Sequence, residues 1–345
     1  MLSSLCRLAF DVITLNLIPT KRMPRKPALL FTAKISLSAL LLWLVLSRID
    51  APNIMVRIRA VNPLWIIPMF VVAPLSILLS AWRWKILALG LLGYWEAVRY
   101  TWIGLFFGSI LPGIVGGDLA KGLSLAAKTP TARDVRLPIS IVVDKVVGFW
   151  AMLLMFDFVA LGLLVTMPQL LNGFRNVLWL TLAGTGLGVG GAVTLCHPKV
   201  AQACEFLVNR LPFSFFQALA KRLIDALGSY RGRGMTLLGA AGISTGIHLL
   251  NAGIYWLVLR SLSVPASFSF AAVFYILLSV LLSIPVSISG IGVRDVFAAS
   301  IFSAFGLKPE AGVAFSWLLL ALSIPNIAVG GLIQMWEMLK RRHTH

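Results

Sequence analysis

Six long apolar segments dominate the sequence, and each is close to the 20 residues that an α-helix needs to cross the hydrocarbon core of a bilayer. Of the 345 residues, 59% are hydrophobic and 12% are charged, and the mean hydropathy is +0.92. A single water-facing domain cannot bury this much apolar surface. The sequence therefore predicts an all-α polytopic membrane protein, with about six full spans at 28–46, 63–82, 138–163, 177–195, 236–260 and 311–337.

The basic residues indicate how the chain is oriented. There are 30 Lys and Arg against 12 Asp and Glu, which gives a formal net charge of +18. In a soluble protein this excess would suggest nucleic acid as a partner. In a membrane protein it marks cytoplasmic loops, which keep Lys and Arg, and we expect no nucleic-acid partner.

Two further apolar segments, 98–122 and 268–305, are interrupted by Pro and Gly. If each enters and leaves the membrane on one side, 21 basic residues lie inside and 7 lie outside. We therefore expect two re-entrant hairpins of opposite orientation, with both termini in the cytoplasm. A hairpin of two short spans at each place is an alternative that the charge count leaves open. Either form predicts a polar interior, since freed backbone groups cannot face hydrocarbon.

The two interrupted segments share one pattern, which is a proline, four residues, a glycine, three residues and a cation. An offset of 173 residues aligns two prolines, expected as hinges, two glycines and two cations: Pro112 with Pro285, Gly117 with Gly290, and Lys121 with Arg294. Because the hairpins enter from opposite faces, the pattern indicates an inverted repeat. In such proteins the interrupted helices form the substrate site near the midplane.

The ends of the interrupted helices suit an anion. A half-helix that begins after the glycines points free N–H groups and its positive dipole end into the cavity. Phosphate is the natural ligand, with Arg294 gripping it bidentately and Lys121 acting as a point charge. The expected backbone donors are Gly116, Gly117, Gly290 and Gly292. Alternatively, the glycines and prolines bend helices for packing, and the cations reach the head groups.

Asp144 and Lys145 lie inside the third predicted span, where an ionisable side chain costs a few kcal/mol and needs a partner. Neighbours on a helix point about 100° apart, so these two need separate partners. The expected partners are Lys121 or Arg294 for Asp144, and Asp118 or a ligand phosphate for Lys145. We expect Asp118, Asp144 and Asp295 to form a gating or coupling network; Asp118 and Asp295 could instead cap the half-helices.

The remaining segments predict surface contacts. Residues 1–27 are expected at the inner membrane surface and 338–345 form a basic cytoplasmic tail. The loop 197–235 contains an amphipathic basic pattern, which indicates a helix lying on anionic lipids of the cytoplasmic leaflet, or else a connecting helix packed on the protein. We find no metal-ligand spacing and no nucleophile with a matching base, and so expect no metal, cofactor or enzymatic activity.

The motifs resemble those of a known family. The stretch from Gly108 to Lys121, Asp144-Lys145, and the stretch from Ser283 to Asp295 are similar to the flippase-like family, which comprises the transmembrane domain of lysylphosphatidylglycerol synthases and related stand-alone membrane proteins. The resemblance covers about 28–337 and implies one multi-span domain with re-entrant segments. The chain departs from the family where Lys121 and Asp144-Lys145 replace the frequent Arg and Glu-Arg, and where Asp295 replaces Glu. The family's soluble aminoacyl-transferase domain has no counterpart in this sequence.

The resemblance implies that the chain moves a phospholipid or lipid-linked anionic amphiphile between leaflets, in a bacterial cytoplasmic membrane. The predicted substrate contacts are the four glycines, Lys121, Lys145 and Arg294. Two alternatives stay open: a non-transporting partner of a lipid- or glycan-synthesising enzyme, and an integral-membrane transferase or phosphatase acting on a lipid phosphate.

Overall fold

The computed structural model is helical, without a strand, in the residues that it describes, which are 36, 38, 40–44, 46, 47, 51–110, 114–126, 136–166, 175–196, 228–283 and 290–342. In chain order its helices are α1 (Ala51–Arg59), α2 (Met69–Leu87), α3 (Tyr94–Ile110), α4 (Ile114–Ala126), α5 (Arg136–Thr166), α6 (Arg175–Cys196), α7 (Gly234–Ser261), α8 (Phe268–Ser283), α9 (Val293–Ala304) and α10 (Pro309–Arg342). A short 3-10 turn, Pro63–Trp65, precedes α2.

Four stretches are long and apolar enough to cross a bilayer: Pro63–Leu87, Arg136–Gly162, Gly234–Ser261 and Pro309–Lys340. Their outward faces carry large apolar side chains, such as Phe158, which is 80% exposed. So large an exposed apolar surface is typical of a lipid-facing bundle. These four candidate spans coincide with four of the predicted ones.

The other two predicted spans have different outcomes. The span predicted at 177–195 coincides with α6, which has 22 residues. Within α6, the apolar stretch Leu178–Gly188 is shorter than a full span. The span predicted at 28–46 lies largely outside the described residues, as do segment 1–27 and most of loop 197–235. The basic tail predicted at 338–345 begins inside α10, which continues to Arg342.

Helices α2 and α7 pack against each other and run antiparallel. At one end the Tyr230 hydroxyl, just before α7, donates to the carbonyl of Leu87 over 2.6 Å. At the other end the N–H of Asn62 donates to the carbonyl of Ser261 over 3.0 Å. These contacts define what we call the Leu87 end and the Ser261 end of the bundle.

The long helices that follow each start at one of these ends. The first turns of α5 contact the last turns of α2, through Ser140 and Trp84, so α5 starts at the Leu87 end. The first residues of α10 border Leu262 and Ser263, so α10 starts at the Ser261 end. The pair α3–α4 therefore leaves from and returns to the Leu87 end, and the pair α8–α9 does the same at the Ser261 end.

The two four-helix groups, α2–α5 and α7–α10, have interiors of different composition. Around α7–α10 the core is aromatic, with Phe274, Phe302 and Phe315 at most 1% exposed and in mutual ring contact. Around α2–α5 the buried residues include Trp84 and Ile103, but charged side chains lie beside them. Both groups bury charged side chains, which are Arg83, Lys121 and Asp144 in α2–α5, and Arg294 and Asp295 in α7–α10.

Candidate anion site

A buried ion pair joins α2 to α5. Arg83 Nε lies 2.7 Å from Asp144 Oδ1, and Arg83 Nη2 lies 3.0 Å from Oδ2. Arg83 also donates from Nη1 to Ser244 Oγ on α7, over 2.9 Å. The two charged residues are 8% and 5% exposed. Because the guanidinium meets both carboxylate oxygens, Asp144 is neutralised by Arg83 within the protein.

The prediction that Asp144 pairs with Lys121 or Arg294 is therefore wrong. Arg83 falls in a predicted loop because the second predicted span stops at residue 82, whereas α2 continues to Leu87. An acid a turn or two inside a span needs a cation at the same depth. That requirement, applied to the neighbouring span, was the signal that could have found Arg83.

Lys121 is the second buried cation of this region. It is 6% exposed, and its Nζ lies 3.7 Å from the ring centroid of Trp84, a cation–π contact. The indole is held in turn, since Trp84 Nε1 donates to Ser140 Oγ over 3.1 Å. No ion pair joins Lys121 to a carboxylate of the described residues. Lys121 is thus a desolvated cation on an aromatic face: among the described residues no carboxylate contacts it directly, and Asp144 and Asp118 act on it electrostatically from beyond ion-pair distance.

Lys145 and Asp118 form an ion pair at the edge of this region, with Nζ 3.1 Å from Oδ2. This confirms one of the two partners expected for Lys145. The side chains are 55% and 21% exposed, so the pair is weak and can open easily. Asp118 thus pairs with a lysine of α5, and the substrate role of Lys145 stays a prediction.

The two glycines of the first hairpin lie within a helix. Helix α4 begins at Ile114, so Gly116 and Gly117 belong to its first turn and do not precede it, contrary to the prediction. The reason is packing: a Cβ at Gly117 would collide with the backbone of Gly104 and lie 3.2 Å from Gly108 Cα. Gly117 lets α3 and α4 approach closely, as small residues do between membrane helices.

The second hairpin follows the prediction more closely. Helix α9 begins at Val293, directly after Gly292, and both Gly290 (φ +75°) and Gly292 (φ +82°) adopt left-handed conformations that other residues rarely take. A Cβ at Gly292 would lie 2.8 Å from Leu41 Cβ. The N–H of Gly292 donates to Asp295 Oδ2 over 3.0 Å. Asp295 therefore caps α9, one of its two expected uses, and that N–H is already paired.

Arg294 is held by different partners from Lys121. It is 8% exposed, and its Nε donates to Ser316 Oγ on α10 over 2.7 Å. The Ser316 hydroxyl in turn makes a short hydrogen bond to Asp295 Oδ1. Arg294, Ser316 and Asp295 thus form one buried cluster, which joins α9 to α10.

Two side chains of α7 form hydrogen bonds with the neighbouring helices α5 and α8. His248 bonds through Nε2 to the carbonyl of Gly148 at 2.8 Å and through Nδ1 to the Tyr275 hydroxyl at 2.7 Å. Asn251 Nδ2 donates to the same hydroxyl over 3.4 Å. These are interhelical hydrogen bonds of the kind that polar side chains form between membrane helices. Pro112 and Pro285, the expected hinges, lie outside the described residues.

Comparison with known proteins places these contacts in a family. The family model of the lysylphosphatidylglycerol synthase TM region matches residues 31–330. The chain belongs to this family. A search of curated proteins finds no match, and a search of solved structures finds none. The matched range includes the site residues described above, from Arg83 on α2 to Ser316 on α10. The match confirms the resemblance seen in the motifs.

Proposed function

We propose that the chain translocates a phospholipid or a lipid-linked anionic amphiphile between the leaflets of a bacterial cytoplasmic membrane, with both termini inside. The head group is bound at Lys121 while the acyl chains stay in lipid. Membership of the lysylphosphatidylglycerol synthase TM region supports a lipid-handling role. The local chemistry supports the choice of an anion.

The observation that carries the proposal is the charge balance around Trp84. The region holds three cations and two carboxylates, and Arg83 and Lys145 account for both carboxylates. The net charge of +1 belongs to Lys121, which is desolvated on the indole face. A buried charge without a counter-ion is costly. A phosphodiester, with a single negative charge, would supply that counter-ion and would itself be neutralised on its way across.

The helix order supports alternating access by an inverted repeat. The offset of 173 residues maps α3 onto 267–283, where α8 spans Phe268–Ser283, and maps the first residue of α5 onto 309, the first residue of α10. The antiparallel contacts of α2 with α7 support an arrangement in which α3–α4 and α8–α9 enter from opposite ends of the bundle. In proteins built this way, rocking of one repeat against the other exposes the site to each side in turn.

Purified protein in liposomes tests the proposal directly. Phosphatidylglycerol with a fluorescent acyl chain is supplied in both leaflets, and a membrane-impermeant reductant quenches the outer label. With the wild-type protein we expect the whole label to be quenched, whereas empty liposomes keep about half. Lys121→Ala should lower the rate at which label from the inner leaflet is quenched about tenfold or more, which corresponds to about 1.4 kcal/mol on the barrier.

Two variants serve as controls in this assay. Lys85→Ala removes an exposed lysine of α2, and it should translocate like the wild type. Lys121→Arg keeps the charge and should retain most of the rate. If wild-type protein moves no label, the chain is not a flippase and the role as a partner of a synthesising enzyme gains. If the lipid is recovered chemically changed, the transferase or phosphatase alternative gains.

A further inference from the structure

A cavity of about 620 Å³ opens at the Ser261 end of the bundle, away from Lys121. Its walls come from α1, from the turn after α7 and from the start of α10. The volume lies within the range of about 300–1,000 Å³ that small-molecule sites occupy. The polar groups along it are Asn53, Arg57, Ser263, Lys308 and Glu310.

The charged groups of this groove are not paired among the described residues. No ion pair joins Arg57, Lys308 or Glu310 to any of them. The two cations and one carboxylate leave a net charge of +1 on the walls. Because α10 begins at Pro309, its positive dipole end also lies at the rim. The groove is therefore electropositive and accessible, and its net charge of +1 would balance the single negative charge of one phosphodiester.

Aromatic residues near this groove support a position at the depth of lipid head groups. Trp65 and Trp256 meet edge to face at 5.8 Å, and the Arg260 guanidinium lies 5.1 Å from the Trp256 ring centroid. Both tryptophans lie at the Ser261 end, and Trp256 packs against the apolar cluster that contains Leu262, a wall residue of the groove. Trp and Arg side chains of this kind mark the interface between a bilayer and water.

We propose that this groove binds the phosphodiester head group of a phospholipid in the leaflet at the Ser261 end. Arg57 and Lys308 hold the phosphate, and Glu310 accepts hydrogen bonds from a hydroxyl or amine of the head group. The inference rests on the proposed function, for which it supplies the position that a head group takes before or after crossing. The groove also lies on the helix that carries Ser316, six residues or about 9 Å along α10 from Glu310.

Photocrosslinking of the full-length protein in nanodiscs tests this assignment. The probe is phosphatidylglycerol with a diazirine on the head group, and mass spectrometry of proteolytic fragments locates the crosslinks. We expect crosslinks at residues 51–60 and 307–311. The double variant R57A/K308A should lower their yield about fivefold or more. Arg59→Ala is the matched control, since Arg59 lies on the same helix but does not line the groove, and it should leave the yield unchanged.

Competition separates a lipid from a free ion. Excess unlabelled phosphatidylglycerol should suppress the crosslinks, and inorganic phosphate at the same concentration should not. Equal suppression by inorganic phosphate would overturn the lipid assignment, and a double variant that crosslinks like the wild type would overturn the site. If crosslinking behaves as expected but no lipid crosses the liposome membrane, the translocation proposal fails and the groove stands. If the wild-type protein moves lipid but the groove variants crosslink as strongly as the wild type, only the groove proposal fails.

Discussion

The two four-helix groups, α2–α5 and α7–α10, each contain a buried cation, at positions that the offset of 173 residues aligns, but the two cations have different partners. In α7–α10, Arg294 shares Ser316 with the capping carboxylate of Asp295, so its charge is built into the packing of α9 on α10. In α2–α5, Lys121 has the face of Trp84, and the nearby carboxylates belong to Arg83 and Lys145. An equivalent position in a repeat therefore does not imply an equivalent role. The first group leaves its cation without a direct ion pair among the described residues, which is why we propose a ligand there, whereas the second uses its cation to hold two helices together.

Removal of Asp144 should give the largest loss of stability. Asp144→Ala leaves Arg83 buried without its counter-ion, which costs about 3–5 kcal/mol of the free energy of unfolding. Unfolding in detergent by denaturant measures the loss. The double variant R83M/D144L, which removes both charges and keeps apolar volume, should recover most of it. A single variant as stable as the wild type would show that the pair does not organise the first group.

Ser316 offers the corresponding test in the second group. Ser316→Ala deprives both Arg294 and Asp295 of a hydrogen-bond partner, and we expect it to lower the free energy of unfolding by about 1–3 kcal/mol. Ser323→Ala on the same helix is the control, because its hydroxyl bonds only to the carbonyl of Leu320, within α10. If both variants behave alike, the Arg294 cluster does not hold α9 on α10 and the contrast with the first group disappears.

Gly117→Ala probes the first hairpin. The added methyl group has no room against the backbone of Gly104, so α3 and α4 must separate, at a cost of about 1–3 kcal/mol. The same separation shifts Lys121, one turn later, relative to Trp84, and translocation of phosphatidylglycerol should fall. Gly162→Ala, where a Cβ meets nothing within 4 Å, is the matched control. Full translocation by Gly117→Ala would indicate that the close packing of this hairpin does not position Lys121.

Lys145→Ala should have the smallest effect. Its pair with Asp118 is more than half exposed on the lysine side, so its loss costs about 1 kcal/mol or less. With Asp118 released, the carboxylate could compete with a lipid phosphate for Lys121, and we expect a modest fall in the translocation rate, by about a factor of two to five. Asp118→Asn removes that competitor and should restore the rate in the K145A background. A rate that falls further in the double variant would contradict this.

The sequence predicted the elements better than it predicted their contacts. Apolar length gave four spans, and the Gly290–Gly292 turn gave the start of α9, because both signals are local. The ion pair of Lys145 with Asp118 was expected because both charges stand out in apolar surroundings.

Contacts between distant segments were harder to predict. Arg83 and Asp144 are 61 residues apart and meet only because α2 continues past the apolar run and packs beside α5. The place of Lys121 on Trp84 likewise depends on how α2 and α4 pack, which periodicity does not reveal. Gly117 was assigned to a ligand because its sequence pattern does not distinguish a free N–H from a close approach of two helices.

Binding of a lipid phosphate by the free charge of Lys121 is tested most directly by the distance between Lys121 Nζ and the phosphorus of a bound phospholipid. An experimental density map of the protein in nanodiscs of phosphatidylglycerol would provide it. We predict phosphate density with an oxygen about 3 Å from Nζ, beside the Trp84 ring. A well-resolved map in which the Lys121 ammonium contacts only protein groups, while head groups are resolved elsewhere on the molecule, would contradict it.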